Sequence, residues 1–316
     1  MPKELTHWML AERALDRLPK GSRVGEIIAR HRGAYLGGAV LPDTLAHLGK
    51  GPHHRTARLL GQRFHDTPGN SFLPLINAER RFPEGLPPAL FSCFLGVISH
   101  MEADVALHPY VYAATGAAGI GEHYRLETAI DIRFLRDGSA PALRRLDQLL
   151  DPQTREVLVC ATGLLFDPEG ELPRQALERS LQLHCRYQSM YDRTFWKMAV
   201  RLLARFCGAP FQEQRHLFYP LRRVNEGMIA VCKNGWCHPE TGELKGASLD
   251  DLASQAVERT VQLFLHIEAK GTLAEALTTL AGANLLTGLH GVKKDTGSDP
   301  CTTTGSSNEH DNPPQL

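Results

Sequence analysis

The chain has 316 residues and a mass of 35.0 kDa; 42% of its residues are hydrophobic and 22% are charged. This composition can bury a substantial core, which excludes a chain that is disordered throughout. Because 35 Lys and Arg residues balance 35 Asp and Glu residues, no net positive field is present to hold a polyanion. A nucleic-acid scaffold and a polybasic membrane binder are therefore disfavoured.

Helical periodicity dominates the first half of the chain, and the alternation typical of strands is almost absent. Thr6 predicts the N-cap of a first helix that ends near Leu18. Gly37, Gly38 and Pro42 predict a break in regular structure just before Asp43. We expect five further helices in this half, over residues 24–31, 54–64, 72–80, 88–107 and 121–136.

The second half shows ordinary amphipathic helices that pack but carry little chemistry. We expect them over residues 142–150, 172–206, 211–231 and 248–289, the last broken at Gly271. Residues 291–316 contain almost no apolar side chain and cannot offset the entropy of ordering, so they are predicted to be a disordered tail. The sequence thus predicts an all-α protein with one multi-helix domain, residues 1–290, in which residues 1–136 hold the chemistry.

Cellular location is approached through the cysteines and the apolar segments. The seven cysteines are scattered and odd in number, which does not resemble a disulfide framework and favours a reducing compartment. The first residues lack the uninterrupted apolar run of a signal peptide, so a cytoplasmic location is expected, with export of a processed precursor left open. The longest apolar stretch, residues 89–98, is too short to span a bilayer.

Histidines and carboxylates recur at helical spacing between residues 100 and 127. His100, Asp104 and His108 follow one another at four-residue intervals and so share one side of a helix. His123 and Glu127 have the same four-residue spacing in the next predicted helix. Burying such groups without partners costs several kcal/mol. A metal ion compensates them, and imidazole with carboxylate is a ligand set that zinc uses.

Three further candidates lie near helix starts or breaks, where a side chain can turn into a cleft: His7, Asp43 and His65. Eight candidate ligands exceed what one tetrahedral ion needs, so two or three zinc ions are expected. Taken singly, each of these residues is more often a satisfied structural residue, and only the repeated pattern favours metal. His47, His53 and His54 lie in a Gly-rich stretch and are interpreted as solvated loop residues.

The order of these residues resembles the zinc-dependent phospholipase C family, which is itself similar to the single-strand-specific zinc nucleases and to the catalytic domain of glycosylphosphatidylinositol-specific phospholipase D. The resemblance implies an all-helical fold with three zinc ions in a cleft. It implies that Asp43, His65, His100 and Asp104 bind one ion, with Asp104 bridging to a neighbour. His108, His123 and Glu127 would bind a second ion, and His7 a third.

The resemblance also implies an activity: hydrolysis of glycerophospholipids by attack of a zinc-bound hydroxide on phosphorus. Asp43 would be a catalytic base as well as a ligand, and carboxylates such as Glu102 or Asp66 would fix the imidazole tautomers. The expected partner is a phospholipid or another phosphodiester; no stable nucleic-acid partner is expected, and transient membrane contact stays open. Two alternatives remain at this point, a zinc nuclease or soluble phosphodiesterase, and a non-catalytic zinc-binding helical protein.

Overall fold

A computed structural model describes residues 3–116, 119–136, 145–221 and 235–290. The prediction of an all-α single domain is confirmed. The α-helices are α1 (Glu4–Asp16), α2 (Arg23–Arg30), α3 (Arg32–Gly38), α4 (His54–His65), α5 (Leu73–Glu79), α6 (Pro88–Thr115), α7 (Ile120–Arg136), α8 (Pro152–Phe166), α9 (Arg174–Met190), α10 (Thr194–Phe206), α11 (Ala209–Gln214), α12 (Leu249–Lys270) and α13 (Leu273–Thr278).

Shorter elements complete the described structure. Three 3-10 helices span Leu41–His47, Leu146–Gln148 and Arg215–Leu217 in the described ranges. Two short strands, β1 (Trp236–Cys237) and β2 (Leu244–Lys245), pair antiparallel with Trp236 opposite Lys245. The predicted tail, residues 291–316, lies outside the described residues.

Helix α6 forms the centre of the fold because its sequence is apolar on every side. It packs against α1, α3, α7, α8 and α12. Around its first half the core contains Phe94 and Ile98; around its second half, Leu107 and Val111 pack in a separate apolar cluster with α7 and α12. The predicted polar stripe lies between these two apolar clusters, at the middle of the helix.

Two glycines let α3 cross α6 with their backbones in contact. A Cβ atom at Gly96 would lie 2.0 Å from the carbonyl oxygen of Tyr35, and one at Gly38 would lie 2.1 Å from that of Cys93. Only glycine fits such an approach. Helix α3 includes Gly37 and ends at Gly38, so the predicted break before Asp43 is present but begins after the two glycines. The close crossing brings the chain that carries Asp43 against α6.

Two predicted helix boundaries near the polar stripe are also wrong. Helix α1 begins at Glu4 with Lys3 as its N-cap, and the Thr6 amide and hydroxyl instead donate to Asp131 Oδ1 of α7 at 2.9 and 2.6 Å. Helix α6 continues past Pro109 to Thr115. Pro109 cannot donate to the Val105 carbonyl one turn earlier, and Gly288 packs at that carbonyl, where a Cβ atom would lie 2.7 Å from the oxygen.

The second half is divided more finely than the periodicity indicated. The segment predicted as one helix over residues 172–206 is two helices, α9 and α10, and α8 was not predicted. The described part of residues 142–150 holds only a 3-10 helix, and that of residues 211–231 only α11 and a 3-10 helix; residues 137–144 and 222–234 lie outside the description. The chain from residue 279 to residue 290 is not helical although the pattern favoured a helix to residue 289.

Helix α6 is also long and apolar enough to cross a membrane by length and composition alone. That is a weak indication, because the core helix of many folds passes the same test. In this structure 94% of its apolar window is buried inside the protein.

Candidate metal centre

Asp104, at the centre of α6, lies among three imidazoles. Its Oδ2 is 3.1 Å from His100 Nε2 and 3.7 Å from His65 Nε2, whereas its Oδ1 is 3.5 Å from His7 Nε2. The two oxygens thus face different histidines, from α6 and α4 on one side and from α1 on the other. A carboxylate in this position has the arrangement needed to bridge two cations.

Asp43 completes the group around His65 and His100. Its Oδ1 is 3.5 Å from His65 Nε2 and 3.9 Å from His100 Nε2. Asp43 comes from the 3-10 helix that follows the glycine crossing of α3 on α6, which explains how a residue far from α6 in sequence reaches its polar stripe. Potential ligand atoms of His7, Asp43 and His100 lie within 4.8 Å of one another, as do those of His65, His100 and Asp104.

A neighbouring group joins the end of the stripe to α7. Ligand atoms of His108, His123 and Glu127 lie within 4.8 Å of one another, with His123 Nε2 at 2.8 Å from Glu127 Oε1. His108 Nδ1 is 3.8 Å from Asp104 Oδ2, so this group adjoins the first. The structure therefore brings all eight residues selected from the sequence into one continuous cluster.

Backbone carbonyls fix the tautomers of three histidines. His65 Nδ1 contacts the Gly61 carbonyl at 2.8 Å, His100 Nδ1 the Ala39 carbonyl at 3.0 Å, and His108 Nδ1 the Leu285 carbonyl at 2.7 Å. A carbonyl only accepts, so each Nδ1 carries a hydrogen and donates it; in the neutral ring the lone pair then lies on Nε2.

These carbonyl contacts correct two sequence-based expectations about the surroundings of the ligands. The expectation that Glu102 or Asp66 orients the imidazoles is wrong for these three rings, because carbonyls do so. The carbonyl contacts also give a role to the segment after α13, which the sequence analysis interpreted as packing only. That segment supplies the Leu285 carbonyl to His108, and its Leu285 amide donates to the His65 carbonyl at 3.2 Å.

The cluster leaves buried polar atoms without partners, which costs free energy unless a ligand satisfies them. Within the described part of the chain, the side-chain atoms that lack a hydrogen-bond partner include both ring nitrogens of His7, Oδ1 of Asp43, both oxygens of Asp104, and Nε2 of His65, His100 and His108. In neutral imidazoles and ionised carboxylates these atoms offer lone pairs to a cation, with one of the two ring nitrogens of His7 carrying the hydrogen. The donor set of imidazoles and carboxylates fits zinc.

Electrostatics give the same picture of neutral imidazoles beside ionised carboxylates. Burial lowers the pKa of His7 to about 4 and that of His108 to about 3. Burial alone would raise the pKa of Asp104, but the neighbouring imidazoles of His108 and His100 hold it well below its ordinary value. His100 is the exception, since Asp104 and Asp43 raise its pKa against the effect of burial. The carboxylates thus attract positive charge, which bound cations would supply.

Sequence reasoning missed a fourth group of potential metal ligands, formed by Glu4, His47 and His184. Glu4 precedes His7 by three residues in α1, a spacing that places both on one side of that helix. That spacing was a signal available in the sequence, whereas His47 and Asp43 lie four residues apart in a 3-10 helix, in which residues three apart share a side. His184 has no such neighbour in α9.

Comparison with known proteins agrees with this geometry. Residues 6–161 match the model of a family described as zinc dependent phospholipase C. The matched segment contains all eight residues selected from the sequence, whereas Glu4 and His184 lie outside it. No curated protein and no solved structure matches the chain.

Proposed function

The chain belongs to the zinc-dependent phospholipase C family, and from this we propose that it is a zinc-dependent hydrolase that cleaves glycerophospholipids on the glycerol side of phosphorus. The observation that carries the proposal is the continuous buried cluster of imidazoles and carboxylates with unpartnered lone pairs, inside the segment that matches the family. Buried groups of this kind are retained at a cost in stability, which is typical of functional sites.

We assign the ligands by their proximity. Asp43, His65, His100 and Asp104 would hold one ion; His108, His123 and Glu127 would hold a second; and His7 would share Asp104 with the first group in holding a third. When bound, zinc supplies a Lewis acid that holds the phosphate, neutralises charge developing on its oxygens and acidifies water. By holding hydrogens on Nδ1, the carbonyls of Gly61, Ala39 and Leu285 would keep Nε2 of the three rings available to the ions.

Residual exposure indicates the side from which substrate approaches. His7, His100, Asp104 and His108 are 0–1% exposed, whereas Asp43, His65 and His123 retain 6–7%. The first set therefore lies deep in the cluster and the second at its open edge. A phosphate diester would reach the ions past Asp43, His65 and His123.

Asp43 has the position and the charge to orient water at that edge. Burial alone would raise its pKa, but the imidazoles of His100 and His65 hold the pKa below the ordinary range of an aspartate. The carboxylate is therefore ionised, and as a ligand it would also accept a hydrogen bond from the attacking water and orient it. Its role in activating water would be mainly orientation, because a carboxylate of low pKa is a weak base.

Phosphorus NMR of the reaction products tests this function. Zinc-loaded protein is expected to convert short-chain phosphatidylcholine into phosphocholine and diacylglycerol. Phosphatidic acid with free choline would instead indicate cleavage on the other side of phosphorus. Cleavage of single-stranded oligonucleotides without lipid turnover would assign the protein to the nuclease alternative, and zinc-loaded protein inert to all three substrates would favour a binding protein.

A further inference from the structure

A second cluster of metal-ligand side chains lies beside the proposed centre. Glu4 opens α1, His47 ends the 3-10 helix that carries Asp43, and His184 lies in α9. Although these elements are far apart in sequence, the three residues place potential ligand atoms within 4.8 Å of one another. Glu4 and His184 are buried, and His47 is half-buried.

Atoms of this cluster remain unsatisfied. Within the described ranges, Glu4 Oε2 and His184 Nε2 are buried without a hydrogen-bond partner. Glu4 Oε1 is 3.4 Å from His184 Nε2. The other ring nitrogen of His184, Nδ1, is 3.0 Å from Thr44 Oγ1, so Thr44 orients the ring with Nε2 facing Glu4.

The protonation states suit a cation. Burial lowers the pKa of His47 to about 3, so its ring is neutral. Burial alone would raise the pKa of Glu4, but the adjacent imidazole of His184 and the nearby Lys3 lower it to about 2. The Lys3 ammonium itself contacts the Leu217 carbonyl and lies 4.1 and 4.5 Å from the ring centroids of Tyr191 and Tyr219. These contacts leave Glu4 Oε2 without a partner.

We propose that Glu4, His47 and His184 form an additional site for a divalent cation of the zinc class, separate from the ligands assigned above. Two imidazoles and one carboxylate form a three-residue zinc ligand set, with further positions open to water. His47 is partly exposed, so this cation exchanges with solvent more readily than those held around Asp104. Thr44, next to Asp43, connects the additional site to the main one.

Metal stoichiometry of the full-length protein tests the additional site. Zinc content after equilibration with excess zinc and removal of unbound metal is compared in the wild type, His47→Ala and Glu4→Gln, with His53→Ala as a matched control from the same histidine-rich stretch. We expect both cluster variants to hold about one zinc fewer than the wild type, and the control to equal it. When cobalt replaces zinc, the two cluster variants should likewise show weaker visible absorption by bound cobalt than the wild type and the control.

Three results would overturn the additional site. Equal zinc content in all four proteins would mean that the cluster is a polar network without metal. Loss of more than one zinc from His47→Ala, in protein whose circular dichroism is unchanged, would make His47 a support of the main centre. A wild type that binds no zinc would remove both sites, an outcome distinct from the loss of the additional site alone.

A different observation, on α10, carries a second inference. Its side opposite the core is apolar: Phe195, Met198, Leu202 and Phe206 are 60–72% exposed and follow one another at intervals of three or four residues. Val200 and Ala204 are buried on the other side. Such an exposed apolar stripe on a helix marks an interaction surface.

The charges of α10 favour an anionic lipid surface as the partner. The helix has no acidic residue, and exposed Arg201 and Arg205 lie along one edge of the apolar stripe. Basic side chains beside an apolar helical face are typical of helices that lie in the headgroup region of a membrane. Helix α10 also packs on the 3-10 helix Arg215–Leu217, which contacts α7, the helix of His123 and Glu127.

We infer that α10 docks the protein on anionic phospholipid membranes, an inference that rests on the proposed action on phospholipids. Trp196 is a built-in reporter: the chain has three tryptophans, of which Trp8 and Trp236 are buried while Trp196 is half-exposed on α10. Vesicles with brominated acyl chains and about a third anionic lipid should quench Trp196 fluorescence before measurable turnover, and vesicles of pure phosphatidylcholine should quench it less.

Paired variants make the test specific. The double variant Met198→Ser with Phe206→Ser should abolish quenching and lower the turnover of lipid in vesicles by roughly tenfold. Its activity on monomeric short-chain lipid should be unchanged. The control Leu244→Ser, at an exposed apolar residue of β2, should behave like the wild type. Quenching that persists in the double variant would overturn the inference. A dimer of the wild type in sedimentation experiments, with a monomeric double variant, would also overturn it, because the stripe would then bind a second copy of the chain.

Discussion

Replacement of Asn284 by alanine should weaken both the fold and one metal site. Asn284 is fully buried, and its amide group donates to Asp66 Oδ1 at 3.0 Å and to the Thr67 carbonyl at 3.1 Å. Its Oδ1 accepts from the amides of Leu286 and Thr287 at 2.9 and 3.0 Å. These four hydrogen bonds hold the segment whose Leu285 carbonyl orients His108.

The magnitude follows from the number of bonds. At about 1 kcal/mol for each hydrogen bond, Asn284→Ala removes ~4 kcal/mol of stabilisation. Water that enters the vacated space restores some hydrogen bonds, so we expect the free energy of unfolding to fall by about 3 kcal/mol. Freed from its carbonyl partner, His108 should bind zinc about 10-fold to 100-fold less tightly at its site. Urea unfolding of the metal-free protein measures the first effect, and competition with a chromogenic chelator measures the second.

Asn70→Ala is the matched control. Asn70 anchors the same segment slightly earlier: its side chain donates to the Leu280 carbonyl at 2.9 Å and accepts from the Gly282 amide at 2.7 Å. These hydrogen bonds hold residues 280 and 282 and do not involve Leu285. It should destabilise the protein by a similar amount and leave zinc affinity nearly unchanged. If the two variants lower zinc affinity equally, or neither does, the segment does not orient His108.

Three further results are expected. Asp104→Asn should cost both metal and activity because it removes the shared carboxylate, whereas Asp43→Asn should depress turnover even in protein that keeps its zinc; equal, complete zinc loss in both would make Asp43 a ligand only. Gly96→Ala should destabilise the fold by about 3 kcal/mol in chemical denaturation, because its Cβ atom would overlap the Tyr35 carbonyl, while Gly163→Ala, whose Cβ atom would meet only Leu177 at 3.5 Å, should not. Chelation should lower the melting temperature by about 10 °C, since binding in ~1,000-fold excess over Kd stabilises a site by ~4 kcal/mol; an unchanged melting curve for a demonstrably zinc-loaded sample would contradict a buried site.

The helical class and five of the eight clustered residues could be predicted because they depend on local spacing, whereas His7, Asp43 and His65 were selected by their places near helix starts or breaks and by the family resemblance. The four-residue intervals of His100, Asp104 and His108 place them on one side of α6 whatever the rest of the fold does. The match of residues 6–161 supports the family that these motifs resemble.

What the sequence did not reveal depends on contacts between distant segments. The glycine crossing of α3 and α6 looked like a loop, because a close approach of two backbones and a turn select the same residue. The expected helix end at residue 107, just before Pro109, is passed in the fold, where Gly288 from another segment packs at the Val105 carbonyl to which the proline cannot donate. His47 looked solvated, and only the fold brings it to Glu4 and His184.

Zinc content is the most direct test of the central claim that the buried cluster around Asp104 is a zinc centre. Elemental analysis should be made on the His47→Ala protein after zinc supplementation, so that the proposed additional site does not contribute. Since two adjoining ligand groups lie at Asp104 and at Glu127, we expect at least two zinc ions per chain. A value below one ion per chain in folded protein would contradict the account.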